Sequence, residues 1–165
     1  MIKKQEKSDR QPRHADQARM PLRHERSAGA IIFHLKDSEP YFLLLKYPTY
    51  WGFVKGLIEK NEGEEQTMKR EMAEEAGIYN YEILEGFKET QRWFYRFEGE
   101  LIRKEAVLYL VKADSWNIKI SHEHEDFKWC TFKDALELIR IKSNKILMEK
   151  AYEFLKKRLS QKTIF

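Results

Sequence analysis

One cysteine, Cys130, is the only thiol in 165 residues, so no internal disulfide can form and the chain reads as a protein of a reducing compartment, the cytoplasm. Between Trp129 and Thr131 it reads as a packing residue in a strand. No apolar run approaches the roughly 20 residues of a membrane span, and the charged amino terminus lacks the hydrophobic stretch of an export signal. Neither membrane insertion nor export is expected. Internal repeats and low-complexity tracts are also missing. What remains, 42% hydrophobic, is enough for one domain with a real core and too little for two generous ones.

A surplus of positive charge is missing too, once the charge is located. The net charge is +4, and residues 1 to 26 carry all of it, with eight Lys/Arg against four acids. The other 23 basic and 23 acidic residues balance. A charged segment of low hydrophobicity with Pro12 and Pro21 cannot bury enough surface to offset its ordering entropy, so residues 1 to 26 are expected to be a mobile tail. Such a tail is solvated, or offers a weak contact to a polyanion such as RNA. The domain is expected over residues 27 to 165, with no obligate protein partner.

Patterning predicts the elements. Ser27 to Leu35 and Tyr41 to Tyr47 read as strands of a hairpin, with Asp37-Ser38-Glu39-Pro40 as its turn. Gly63 to Ala76 reads as a helix, with Glu64 and Glu65 in its first turn, an apolar face of Met68, Met72, Ala73 and Ala76, and Gly77 as its stop. Strands are predicted at Tyr81 to Thr90, Arg92 to Phe97, Glu105 to Val111 and Phe127 to Thr131. Thr131 and Asp134 resemble a capping box for a helix through Ile139, and Asn144 is placed to cap a last helix to about Leu159. The order is that of an α+β fold with a mixed or antiparallel sheet.

The chemistry concentrates on the first helix. Glu71, Glu74 and Glu75 stand at i, i+3 and i+4, so their carboxylates share one helical face, with only Lys69 and Arg70 near enough to dilute the repulsion. An isolated trio of this kind is most often a solvated acidic face. Here Gly56 and Glu62 precede it across a loop that can fold back over the helix start. Hard oxygen ligands on a rigid helix suit Mg²⁺, with Mn²⁺ as the alternative, because such an ion accepts a few carboxylates and keeps waters and substrate phosphates in its other positions.

Gly56, Glu62, Arg70-Glu71-Met72, Glu74-Glu75, Gly77 and Ile78 fit G-x5-E-x7-R-E-U-x-E-E-x-G-U, where U is a bulky aliphatic, and this resembles the box of the Nudix hydrolases. The resemblance implies an α/β/α sandwich around a mixed sheet and hydrolysis of a nucleoside diphosphate linked to another group. It also implies that Glu71, Glu74 and Glu75 hold the metal, that Arg70 steadies a carboxylate, and that Gly56 and Gly77 permit the turns. The flanks, Ser27-Ala28-Gly29-Ala30-Ile31-Ile32-Phe33, Phe42-Leu43-Leu44-Leu45, Lys55-Gly56, Glu85-Gly86-Phe87-Lys88 and Ser121-His122-Glu123-His124, resemble the small asymmetric diadenosine tetraphosphate hydrolases over about residues 27 to 155. Val54 and Lys60-Asn61 depart from that pattern, where relatives usually carry a proline before the Lys-Gly pair and often Pro-Gly-Glu.

Two histidines at i, i+2 beside acids invite a zinc reading of Ser121 to Asp126, but no thiol or third histidine at suitable spacing supports it. In the resembled group a glutamate of this loop reaches the metal cluster, which makes Glu123 the further ligand or base. Of the aromatics, most belong in the core, and Trp93 and Tyr152 are the candidates to stack on a nucleobase. Lys55, Arg96 and Lys104 are the candidate phosphate contacts. The expected reaction is attack of water on a bridging phosphorus, with Glu75 or Glu123 as the base, on a small nucleotide substrate such as diadenosine tetraphosphate. A hydrolase of RNA 5′ ends, or of another nucleoside diphosphate derivative, is the alternative within the family. A binding module without catalysis is the alternative outside it, and the intact carboxylates argue against that.

Overall fold

The computed structural model describes residues 22–162. The element order is β1 (Leu22–Lys36), β2 (Glu39–Lys46), β3 (Trp51–Gly52), β4 (Val54–Leu57), α1 (Glu64–Ala76), β5 (Tyr81–Phe97), β6 (Glu100–Ala113), β7 (Asp126–Cys130), α2 (Phe132–Leu138) and α3 (Lys142–Lys162). The strands form one mixed sheet in the order β3-β2-β1-β6-β5, with β4 also paired to β1 and β7 to β2. Among the described residues only the central β1–β6 pairing is parallel. β1 is buried on both faces from Ser27 to Phe33, as a strand covered by helices on each side must be.

Its alternate residues feed two cores. Ile31 and Phe33 pack with α2 and α3 through Ala135, Leu147, Met148, Ala151 and Leu155. Ala30 and Ile32 pack with α1 through Met68, Met72 and Ala76. The result is an α/β/α sandwich, and each fully buried Leu, Ile or Phe contributes about 1.5–3 kcal/mol to it.

Four details differ from the sequence reading. The β1–β2 turn is only Asp37-Ser38, both at positive φ (52° and 67°), and Pro40 is already in β2 opposite Leu35. The two strands expected either side of Gln91 are one, β5, because Gln91 faces inward and is buried instead of turning. Asn144 does not cap α3; the helix starts at Lys142, and the Asn144 side chain is buried against Gln91. Residues 22–26 pair in parallel with residues 101–105 of β6. The sheet therefore begins at least five residues before the boundary that composition suggested. The tail expected upstream, residues 1 to 21, lies outside the described residues.

Candidate active site

Gly63 precedes α1, and its N–H donates to Gln66 Oε1 (2.7 Å), while Gly77 closes the helix at φ 66° with its N–H on Ala73. Those two stops fix which turn presents Glu71 and Glu75. β4 lies against this turn, held to β1 by the pairing of Gly56 with Ala28. The approach is so close that a Cβ built on Gly56 would overlap the Glu71 carboxylate.

Arg70 organises the carboxylates around it. Its Nε and one terminal nitrogen donate to the two oxygens of Glu62 (2.8 and 2.9 Å), and that nitrogen also donates to the Leu57 carbonyl (3.0 Å). The other terminal nitrogen donates to Glu71 (2.7 Å) and Glu74 (3.2 Å). A two-pronged Arg–carboxylate pair fixes direction as well as distance, and the Thr67 hydroxyl donates to Glu62 Oε1 as well (2.5 Å). The Arg70 guanidinium and the Thr67 hydroxyl hold the Glu62 carboxyl down at about 2.

Glu71 and Glu75 are 8% and 6% exposed, and they stand within hydrogen-bonding reach of one another. Burial first, and the neighbouring Glu71 charge second, push Glu75 up to about 9; burial also raises Glu71. The Lys55 backbone N–H points at Glu75 (3.3 Å). Glu74 is exposed beside Arg70. Glu123 is exposed as well, but its charge is felt at Glu75. Among the described residues no three His, Cys, Asp or Glu side chains converge on one point. The pair itself is a buried hard-oxygen donor set met by Arg70 only at the Glu71 end, and with no cation beside it the Glu75 carboxyl holds its proton. That chemistry fits a divalent cation such as Mg²⁺ with water and substrate oxygens completing its shell.

His124 joins the pair from the loop after β6. Its Nε2 is 3.5 Å from Glu75 Oε1, its ring sits edge-on to Tyr47 (4.5 Å, 87°), and neither ring nitrogen has a hydrogen-bond partner. The loop is pinned by Ser121 N–H to the Glu75 carbonyl (3.3 Å) and Glu125 N–H to the Lys46 carbonyl (3.0 Å). From the sequence, His122 and His124 alike are left to orient the loop or to donate to phosphate, because nothing local says which loop residue turns inward.

Beside the pair is a second space. Tyr50, Lys55, Gln91, Trp93, Ile141, Ser143 and Asn144 line a cavity of about 380 Å³. Lys55 Nζ lies 5.2 Å from the centre of the Trp93 ring, and burial lowers the Lys55 pKa, with Lys104 adding to the effect. Lys104 stands opposite Trp93 in the β5–β6 register and donates to Glu25 (3.1 Å). The structure does not bring Arg96 or Tyr152 here. Arg96 follows Trp93 by three residues and so points to the other side of β5. Tyr152 stacks on Phe132 (4.0 Å, 7°) and meets Phe42 edge-on, because α3 turns that face onto the core.

A family model described as "NUDIX domain" matches residues 23–151. The bis(5′-nucleosyl)-tetraphosphatases [asymmetrical] of Caenorhabditis elegans and Mus musculus are 29% and 28% identical to the chain. Each alignment spans 79% of it, and 96% and 95% of those proteins. The crystal structure of a C. elegans Ap4A hydrolase binary complex matches with a TM-score of 0.68 at 30% identity, covering 80% of this chain and 98% of that one.

Proposed function

We propose that this chain, which belongs to the Nudix family, hydrolyses a dinucleoside polyphosphate asymmetrically, releasing ATP and AMP from diadenosine tetraphosphate. The observation that carries this reading is Lys55. Its backbone N–H faces Glu75 while its side chain enters the Trp93 cavity, so one residue joins the carboxylate pair to a space suited to a base. A nucleobase between the cavity's aromatic walls sets its own phosphates beside Lys55 and Lys104, and the bridge then runs over Glu71 and Glu75. One cavity and one carboxylate pair address one phosphorus, and nothing in a single asymmetric domain makes the middle linkage special. The names of the relatives above point the same way.

Glu71 and Glu75 would hold the cation, Mg²⁺ or Mn²⁺, and Glu123, exposed on the loop before β7 with its charge felt at Glu75, is the candidate further ligand or base. When bound, that ion supplies neutralisation of phosphate charge and a more acidic water. Arg70 keeps Glu62 and Glu71 in place. Glu75, ionised once a cation is held beside it, or alternatively Glu123, takes the proton as the water oxygen bonds to phosphorus and a bridging P–O bond breaks. The leaving phosphate carries that bond's electron pair away.

Chromatography of an early time course with diadenosine tetraphosphate and Mg²⁺ tests the reading. ATP and AMP in equal amounts are expected. ADP as the main first product overturns the asymmetry, and no reaction with the dinucleotide, alongside turnover of triphosphate-ended RNA, overturns the substrate in favour of RNA 5′ ends.

A further inference from the structure

The floor of the Trp93 cavity carries a polar pair that the hydrolysis does not use. Gln91 on β5 and Asn144 on α3 are 8% and 4% exposed, and the Gln91 Nε2–H donates to Asn144 Oδ1 (3.0 Å). That bond uses one donor of Gln91 and the oxygen of Asn144. Gln91 Oε1 and the Asn144 amide nitrogen make no protein hydrogen bond, yet they are not among the buried polar atoms that lack a partner. They open instead onto the cavity that both residues line. Burying two carboxamides is costly unless their polar atoms are matched, and an apolar pair would fill this space without that cost.

We propose that the Gln91–Asn144 pair reads the hydrogen-bonding edge of a purine held against Trp93. This rests on the cavity being the base site of the proposed function. Side by side, a free amide oxygen and a free amide NH₂ match a base edge that offers one donor beside one acceptor, as the 6-amino group and ring nitrogen of adenine do. Among the described residues no other hydrogen bond fixes either amide, so both can turn over together. The turned pair keeps its internal bond and exchanges the free oxygen and NH₂. It then matches a 6-oxo purine, whose donor and acceptor are reversed. The pair thus reads the edge of the held base without choosing between amino and oxo forms.

The test is equilibrium binding to the full chain in EDTA, so that hydrolysis plays no part, with AMP, IMP and purine riboside 5′-monophosphate, which lacks the 6-substituent. The intact chain is expected to bind AMP and IMP within about threefold of each other and the unsubstituted purine about tenfold more weakly. Q91L/N144L, which removes both partners and leaves no orphan, is expected to melt near the parent and to bind all three alike. Equal binding of AMP and the unsubstituted purine by the parent, a preference that survives in the folded double variant, or no nucleotide binding at all overturns the proposal. A tenfold choice between AMP and IMP overturns the concerted turning. Should the expected binding pattern appear in a chain that does not cleave diadenosine tetraphosphate, the proposed reaction fails and the base reading stands.

Discussion

At Gly56 the space for one hydrogen decides where the Glu71 carboxylate sits. The three atoms nearest a Cβ there all belong to the far end of the Glu71 side chain, which can swing away, so Gly56→Ala is expected to leave the fold intact and displace the carboxylate. A shift of about 1 Å costs on the order of 10²-fold in rate. Gly56→Ala should therefore lose about that much kcat and melt within a few degrees of the parent. Unchanged kcat would show that Glu71 is not held where this site needs it. The box residues were legible in the sequence because their spacing on a helix is local geometry. His124 was not, because its burial against Glu75 and Tyr47 depends on loop contacts from Ser121 and Glu125 to two other elements.

Among the elements, α1 was readable almost to its ends, since Gly63 and Gly77 mark them with chemistry of their own. The start of β1 was hidden for the opposite reason. Leu22 to Arg26 reads as charged tail, and what orders it is a partner strand more than 70 residues on. Glu25 ties the two together, accepting from the Tyr95 hydroxyl (2.7 Å) and Lys104 (3.1 Å). Hydrogen bonds from Tyr95 and Arg23, with Lys104 adding, hold Glu25 at about 2 against an ordinary 4.5. A depressed carboxyl stabilises the fold in full above the unfolded value and loses that contribution as pH falls from about 4.5 toward 2. Urea unfolding of the parent and Glu25→Gln should therefore differ at pH 7, by about 1 kcal/mol or less for a solvent-screened pair, and converge near pH 2. A pH-independent difference would contradict the role given to Glu25. β5 was misread at Gln91 by the same logic of distance, because a polar residue looks like a turn until Asn144, 53 positions later, provides its partner.

Across the whole molecule, two cores on either side of one sheet leave the α1 turn, β4 and the loop before β7 converging at one place. The fold class was legible because each layer writes its own period into the chain. The union of Lys55 with Trp93, and the exclusion of Arg96 and Tyr152, were not, since those depend on which face each element turns to its neighbours. On the proposed function, the buried Glu71–Glu75 pair holds the cation on which hydrolysis depends. Melting temperature and diadenosine tetraphosphate turnover, each titrated with Mg²⁺ from an EDTA-stripped start, test it in the parent and in Glu71→Gln/Glu75→Gln. In the parent, Mg²⁺ should raise the melting temperature and restore turnover over one concentration range; in the double variant it should do neither. Full turnover in EDTA, or the same melting shift in the variant, would contradict the account.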